Sequence, residues 1–328
     1  MAGPLRAPGG ALFAFHDLAP GEESFRDAVL GGLSQAPRSL PCKFFYDARG
    51  SELFDAICAT PEYYLTRAET EILETFAPAI AARIGRHARL VELGSGASRK
   101  VRLLLDALAA PAAYVAVDIS RDYLRAAAEA IAGDYPALTV VAVCADYTKP
   151  FDLPRLAGPE GKRVGFFPGS TIGNFEPEAV VSFLEHCGRL LGPGAEMLIG
   201  ADLKKPKTVL DAAYNDAAGL NAAFNLNLVQ RIRDELDSDI RIEDFAHVAF
   251  YNEAAGRIEL YIESRREHSA TIAGRRFAFA AGELIHTENS YKYATPEFRA
   301  LAARAGFAAL ETWTDARNLF SVHYLRRE

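Results

Sequence analysis

The sequence predicts an α/β protein: a doubly wound parallel sheet with an antiparallel last strand, plus a second, α+β substrate lobe. Three observations carry this. Short apolar runs alternate with helical patterns from residue 90 to residue 200. A glycine turn joins the first apolar run to its helix, and the alternation ceases after Leu203, giving way to helix and then hairpins. The chain has 328 residues, 50% of them hydrophobic, so it can bury one large core or two.

Residues 1–14 contain Pro and Gly but no continuous apolar stretch, which predicts a frayed end rather than a signal peptide. Phe25–Leu33 has the spacing of a short amphipathic helix, and residues 37–41 form a turn-rich link. Residues 52–57 and 68–80 have helical spacing, separated by the break at Pro61. The aromatics crowded between Phe44 and Tyr64 serve either core packing or the lining of a cleft. Tyr46 and Tyr63 each stand beside a turn, where a hydroxyl can face such a cleft.

Residues 90–100 organise the rest. A strand ends in Glu92, Gly94-Ser95-Gly96 follows, and a helix runs from Lys100 to Ala110. Glycine lets the backbone turn and a ligand approach without a Cβ in the way. A dinucleotide fingerprint would need glycine at Arg99, and no P-loop is present. The remaining pattern, Glu-x-Gly-x-Gly, resembles motif I of class I S-adenosylmethionine-dependent methyltransferases, whose fold is Rossmann-like.

Residues 113–117 form the second strand, ending in Asp118. A carboxylate there is placed to accept from ribose hydroxyls; alternatively it belongs to the start of the next helix, with Ser120 as its cap. The third strand, residues 139–143, leads to Asp146 and Tyr147, a carboxylate for an adenine amino group and a ring to stack on it. Arg163–Phe167 and residues 196–200 complete the alternation, with a helix over residues 178–191 between them. Beyond it, residues 204–236 look mostly helical, and residues 247–251 with 257–263 form a hairpin. A strand over residues 276–279, a helix over 296–304 and two closing strands over 307–314 and 319–325 finish the chain. The expected division is a cofactor-binding domain of residues 68–203 and 291–328, with a substrate lobe of residues 15–67 and 204–290.

Lys and Arg number 36 against 43 Asp and Glu, a formal net charge of −7, which argues against a nucleic-acid binder. The four cysteines lie far apart without C-x-x-C or paired histidine spacing. No metal site or disulfide framework is expected, and a reducing cytoplasm fits. No run approaches the length of a membrane span, so no membrane partner is expected.

Six segments together resemble one family, the histidine Nα-methyltransferases of ergothioneine biosynthesis. They are residues 43–51, 61–69, 91–96, 169–174, 213–225 and 286–293, in order along nearly the whole chain. The resemblance implies trimethylation of L-histidine to hercynine by a monomer that uses S-adenosyl-L-methionine and passes through the N-methylated intermediates. It implies cofactor contacts at Glu92, Gly94, Gly96, Lys100, Asp118, Asp146 and Tyr147, the last often Phe in the family. Asn174 and Tyr214 would take the substrate carboxylate, Glu288 and Ser290 the imidazole, and Tyr46 and Tyr63 the surroundings of the amine. Gly169 would belong to the turn that admits the amine, and Phe224 to the pocket wall.

These roles have physical reasons. Glu288 can accept from one imidazole nitrogen while Ser290 serves the other, whereas an indole has one N–H and no acceptor. Read without the resemblance, Glu288-Asn289-Ser290 is an exposed strand-to-helix turn with Ser290 as cap. A relative in the same superfamily methylates a prenylated tryptophan, so another amino acid or an indole derivative is the alternative substrate. A non-catalytic cofactor-binding regulator is the reading from a different class. Methyl transfer from a sulfonium is an in-line displacement governed by alignment and exclusion of water. The amine must shed a proton before each transfer, and no His–Asp or Lys dyad is visible; release to water along the Tyr46 and Tyr63 hydroxyls is the hypothesis.

Overall fold

The computed structural model describes residues 5–6, 12–18, 24–96, 99–155 and 161–328. In chain order the elements begin β1 (Leu5–Arg6), β2 (Leu12–Asp17), α1 (Phe25–Leu33), α2 (Ala48–Ala59), α3 (Leu65–Ile84), β3 (Arg89–Leu93) and α4 (Arg99–Ala107). They continue with β4 (Ala113–Asp118), α5 (Arg121–Asp134), β5 (Thr139–Cys144), β6 (Arg163–Phe167), α6 (Pro177–Leu191) and β7 (Glu196–Asp202). Then come α7 (Lys207–Tyr214), α8 (Leu220–Glu235), β8 (Phe245–Asn252), β9 (Arg257–Ser264), β10 (His268–Ile272) and β11 (Arg275–Phe279). The chain closes with β12 (Leu284–Tyr291), α9 (Thr295–Arg304), β13 (Phe307–Thr314) and β14 (Phe320–Arg327). Two compact units result: Met1–Gly21 with Arg67–Leu203 and Tyr293–Glu328, and Glu22–Thr66 with Lys204–Lys292.

The first unit holds a sheet which, among the described residues, runs β1-β2-β5-β4-β3-β6-β7-β14-β13. Strands β2 to β7 pair in parallel, and β14 is antiparallel to both β7 and β13. Leu90, Val115, Val140 and Val164 are fully buried, because helices on both faces leave an interior parallel strand no solvated side. The strand order reverses at β3, whose neighbours are β4 on one side and β6 on the other. Ligands of such sheets bind at this switch, beyond the strands' carboxyl ends. Helix α4 stops short of the expected Ala110, which takes φ 51° just before Pro111.

The frayed end expected for residues 1–14 is overturned in its described part. β2 runs parallel to β5 from Phe13 opposite Val140 to Asp17 opposite Cys144, and β1 pairs with β2. Phe13 is buried, and the pairing satisfies an edge of β5 that would otherwise be exposed. Residues 1–4 and 7–11 lie outside the described residues.

The second unit has a three-stranded antiparallel sheet, β12-β9-β8, and a β10–β11 hairpin. The helical stretch expected over residues 204–236 is two helices. The break comes at Asn215–Gly219, where the Asp216 carboxylate accepts from the Leu220 and Asn221 backbone N–H groups at 2.9 and 2.8 Å and caps α8. Strand β10 was not foreseen; its turn residues, Ala273 and Gly274, have φ 48° and 79°. Glu288 to Ser290 are strand residues of β12 paired with Leu260 to Ile258, not a capping turn before a helix. Among the described residues no helix is long and apolar enough to cross a membrane.

Candidate active site

In the first unit the expected cofactor residues gather at the carboxyl ends of β3, β4 and β5. Gly94 has φ 74°, and a Cβ built on it would stand 3.5 Å from the Tyr147 ring. That is ordinary contact, so it is the left-handed φ and not want of space that favours glycine here, and the turn lies directly against the ring. Gly96 follows in the same turn. Tyr147 is held edge-on by Phe167 and Phe183, with centroids at 5.7 and 6.2 Å. Asp146 accepts from the Thr148 N–H at 3.0 Å and hydroxyl at 2.5 Å and pairs with Lys149 at 3.3 Å. Burial pushes its carboxyl up, but these partners outweigh burial and hold it below the usual range.

Asp118 ends β4 and accepts from the Ser120 N–H at 2.8 Å, while Ser120 itself makes no side-chain cap bond to α5. Burial raises the Asp118 carboxyl, with the Ser120 and Gly96 backbone groups opposing it. Glu92 sits in the sheet, 2% exposed, and accepts the Tyr114 hydroxyl from the neighbouring strand. Burial lifts its carboxyl to about 8 despite that bond and despite Lys100.

A residue that sequence reasoning passed over ties this half together. Glu69, completely buried on α3, pairs with Lys100 and accepts the Gly169 N–H through both oxygens, at 2.9 and 3.1 Å. Gly169 takes φ 82° and Ser170 φ 57° in the turn after β6. Ser170 accepts the Asp202 N–H at 2.9 Å, and Asn174 ends the single-turn helix that follows. Glu69 lay within a matched segment, but nothing in its spacing marks a carboxylate reaching across to two other elements.

In the second unit, Tyr46, Tyr63, Tyr214 and Phe224 form one aromatic group joined by Phe54. Tyr63 lies 6.1 Å from Tyr214 and 6.2 Å from Phe54, and Tyr46 lies 5.5 Å from Phe224 and 5.6 Å from Phe54. Phe224 stacks further on Phe45 at 4.7 Å, and Tyr46 is 40% exposed. Tyr63 is buried, which pushes its hydroxyl well above the ordinary tyrosine range, with Tyr214, Cys58, Tyr46 and Glu288 adding to the effect. The phenol therefore stays protonated.

Strand β12 supplies the polar groups. Its register against β9 shifts between His286 and Glu288, so Thr287 is an extra residue, a β-bulge. Ile285 before it and Thr287 itself are buried, and beyond it Ser290, Tyr291, Lys292 and Tyr293 all are. His286 and Asn289, three apart, hydrogen-bond at 2.9 Å, which shows the switch of face. The bulge is pinned. Thr287's hydroxyl lies 2.8 Å from Asn225 Oδ1 and 3.1 Å from the Leu260 carbonyl. Asn225 donates to the Tyr261 carbonyl at 2.8 Å and to His247 Nδ1 at 2.9 Å, which leaves His247 Nε2–H to donate to the Tyr214 carbonyl at 3.0 Å. Burial keeps His247 neutral, as this pattern requires.

Glu288 is only partly covered at its surface yet surrounded by protein, and this desolvation lifts its carboxyl to about 7, with Lys292 opposing. The same environment pushes the Cys42 thiol to about 12, burial first and Glu288's charge second. Ser290 Oγ is 3.0 Å from the Tyr214 hydroxyl, so these two expected ligand contacts touch. Lys292, 1% exposed and unforeseen, donates to Tyr214 at 2.8 Å and to Ser290 at 2.9 Å. It lies two residues after Ser290, just beyond the end of β12, where no alternation marks it.

Comparison with known proteins agrees with this chemistry. Residues 25–327 match the model of a family described as histidine-specific methyltransferase, SAM-dependent. The chain is 40% identical over 306 residues to the histidine N-alpha-methyltransferase of Mycolicibacterium smegmatis, covering 92% of this chain and 94% of that one. It is 34% identical to ergothioneine biosynthesis protein 1 of Neurospora crassa over 89% of this chain, which spans 33% of that longer protein. It is 27% identical to a 4-dimethylallyltryptophan N-methyltransferase of Epichloe festucae var. lolii, over 91% and 93% of the two chains. A family model matched over residues 25–327 and 40% identity over 92% of its length place this chain in the histidine-specific, S-adenosylmethionine-dependent methyltransferase family.

Proposed function

We propose that this chain trimethylates the α-amino group of L-histidine to hercynine, the first step of ergothioneine biosynthesis. It acts as a monomer on histidine and on its mono- and dimethylated intermediates. The observation that carries this reading is the Glu288–Ser290 pair, a carboxylate and a hydroxyl on one strand beside the aromatic group of Tyr46, Tyr63, Tyr214 and Phe224. An imidazole offers two nitrogens to such a pair; an indole would leave one of the two groups unmatched. Incubation with S-adenosylmethionine and histidine, tryptophan or tyrosine in turn, followed by mass spectrometry, tests it. A mass gain of three methyl groups on histidine alone is expected; methylation of tryptophan or tyrosine in preference would overturn the reading.

S-adenosylmethionine, when bound, supplies a methyl group on a sulfonium that is already a good leaving group. Gly94, Gly96, Asp118, Asp146 and Tyr147 would hold it, with Lys100 braced by Glu69 and Glu92 braced by Tyr114. Asn174 and Tyr214 would bind the substrate carboxylate, and Gly169, with no side chain, would admit the amine. The growing quaternary ammonium suits aromatic faces, which Tyr46, Tyr63 and Phe224 provide.

The amine's proton leaves by way of hydroxyls rather than to a strong base. Tyr63 holds its own proton, so it passes one on only by accepting another. The exposed Tyr46 gives the route its outlet to water. Tyr63→Phe and Tyr46→Phe are each expected to lower kcat about 10-fold, with histidine KM changed far less. Steady-state kinetics over a pH series checks this, and two variants with wild-type turnover and pH profile would remove the relay.

A further inference from the structure

Tyr46 stands at a joint. The single-turn 3-10 helix Cys42–Phe45 ends just before it, α2 begins two residues later, and its own backbone, φ −93° and ψ 53°, belongs to neither. A residue in such a joint has no regular ladder, so the contacts of its neighbours decide where its side chain stands. On the α2 side there is no slack. A Cβ at Gly50 would stand 1.7 Å from the Phe45 carbonyl oxygen, and the Gly50 N–H donates to Asp47 Oδ1 at 2.7 Å.

The other side is held by α8. Phe224, Asn227 and Arg231 are spaced three and four apart, so they share one face of that helix. Each holds a different part of residues 44–47. Phe224 packs on Phe45 and Tyr46, with ring centroids at 4.7 and 5.5 Å. Asn227 Nδ2 donates to Asp47 Oδ1 at 2.8 Å. Arg231 donates through Nη1 to the Phe44 carbonyl at 2.7 Å, and its Nε lies 3.8 Å from Asp47 Oδ2.

The guanidinium is itself aimed. Glu235, one turn on, accepts from its Nε and Nη2 at 2.7 and 3.0 Å, and the Phe25 ring, which also packs on Phe44, lies 4.3 Å from it. A planar fork can meet a carboxylate on one edge and a carbonyl on another, which an ammonium cannot do in fixed directions. Only 14% of the Arg231 side chain is exposed, which sets it apart from surface ion pairs that contribute little.

We propose that Arg231, with Asn227 beside it, is a positioning residue for Tyr46: it fixes the backbone of residues 44–47 from α8 and so sets where the Tyr46 hydroxyl stands. The proposal rests on the reading that Tyr46 carries the amine's proton outward, and it adds the residues on which that hydroxyl's alignment depends. A hydroxyl relay works only within hydrogen-bond reach, so a displacement of about 1 Å in this segment weakens it.

The test is Arg231→Met, which keeps a long apolar stem and removes the donors. Hydrogen exchange of the amides in residues 43–47 is expected to quicken at least about 10-fold. Turnover, kcat, is expected to fall about 5- to 10-fold and to take the pH profile of Tyr46→Phe, with histidine KM and S-adenosylhomocysteine affinity within about twofold of wild type. Added to Tyr46→Phe, Arg231→Met is expected to cost less than about twofold more, whereas a merely structural loss would add in full. Arg231→Lys, which keeps the charge but not the fork, should fall between wild type and Arg231→Met. Wild-type exchange over residues 43–47, or a loss of kcat that adds in full to that of Tyr46→Phe, would overturn the proposal. Should Arg231→Met fail to fold by circular dichroism, Asn227→Ala goes through the same measurements with the same signs expected. A Tyr46→Phe variant with wild-type kcat and pH profile would instead overturn the reading of Tyr46's role, and the exchange rates still decide whether Arg231 holds the segment.

Discussion

Glu288→Gln is expected to lower kcat/KM for histidine about 100-fold and, at the same time, to stabilise the protein above neutral pH. The first effect follows from replacing a charge-assisted acceptor with a neutral one, worth about 1.5 to 3 kcal/mol. The second follows from the shift of its carboxyl from 4.5 to about 7, caused by burial. A group whose pKa rises on folding favours the folded state while protonated and loses that favour as pH climbs through the folded value. Wild-type protein therefore sheds stability between about pH 4.5 and 7, by ~2 kcal/mol once the group's partial exposure is allowed for. Glutamine has nothing to ionise, so the variant keeps that stability. Urea unfolding at about pH 5 and pH 8 checks it: the difference should be small at the lower value and full at the higher. A variant no more stable than wild type at the higher pH would mean that the carboxylate is not held at an energetic disadvantage.

Glu69→Ala is expected to act on the other unit, lowering stability by about 3 to 5 kcal/mol and weakening S-adenosylhomocysteine binding about 10-fold or more. Its carboxylate is the partner of Lys100 and of the Gly169 N–H, and all three lie on different elements. Removing it leaves a charge and an amide without their acceptor. The fold already reserves its space, because a Cβ at Gly200 would stand 2.1 Å from Glu69 Oε1. Glu69→Gln, which can still accept from Gly169, should fall between. Thermal unfolding and calorimetry with S-adenosylhomocysteine measure both effects; an alanine variant with wild-type affinity would reduce Glu69 to a packing residue.

The parallel sheet was legible because each interior strand is a continuous apolar run ended by a glycine or a carboxylate, as at Glu92, Asp118 and Asp146. The strand at Leu12–Asp17 was not, since its pairing with β5 is a tertiary choice that a short run beside Pro and Gly does not announce. The aromatic residues Tyr46, Tyr63, Tyr214 and Phe224 were named in advance, and the structure brings them into one group. Their supports were not. Glu69 and Lys292 look in the sequence like ordinary charged residues of a helix and of the end of a strand. Only burial, 0% and 1% exposed, reveals that each has been taken out of water to hold something.

Thr287 carries a consequence of its own. The additional residue changes which sequence positions fall on each face, while pairing with β9, Glu288 opposite Leu260 and Ser290 opposite Ile258, fixes where those side chains stand. Deleting Thr287 would close the bulge with His286 still opposite Tyr261 and Glu288 still opposite Leu260, so Glu288 and Ser290 would keep their face and the strand would lose only the hydroxyl's contacts to Asn225 and the Leu260 carbonyl.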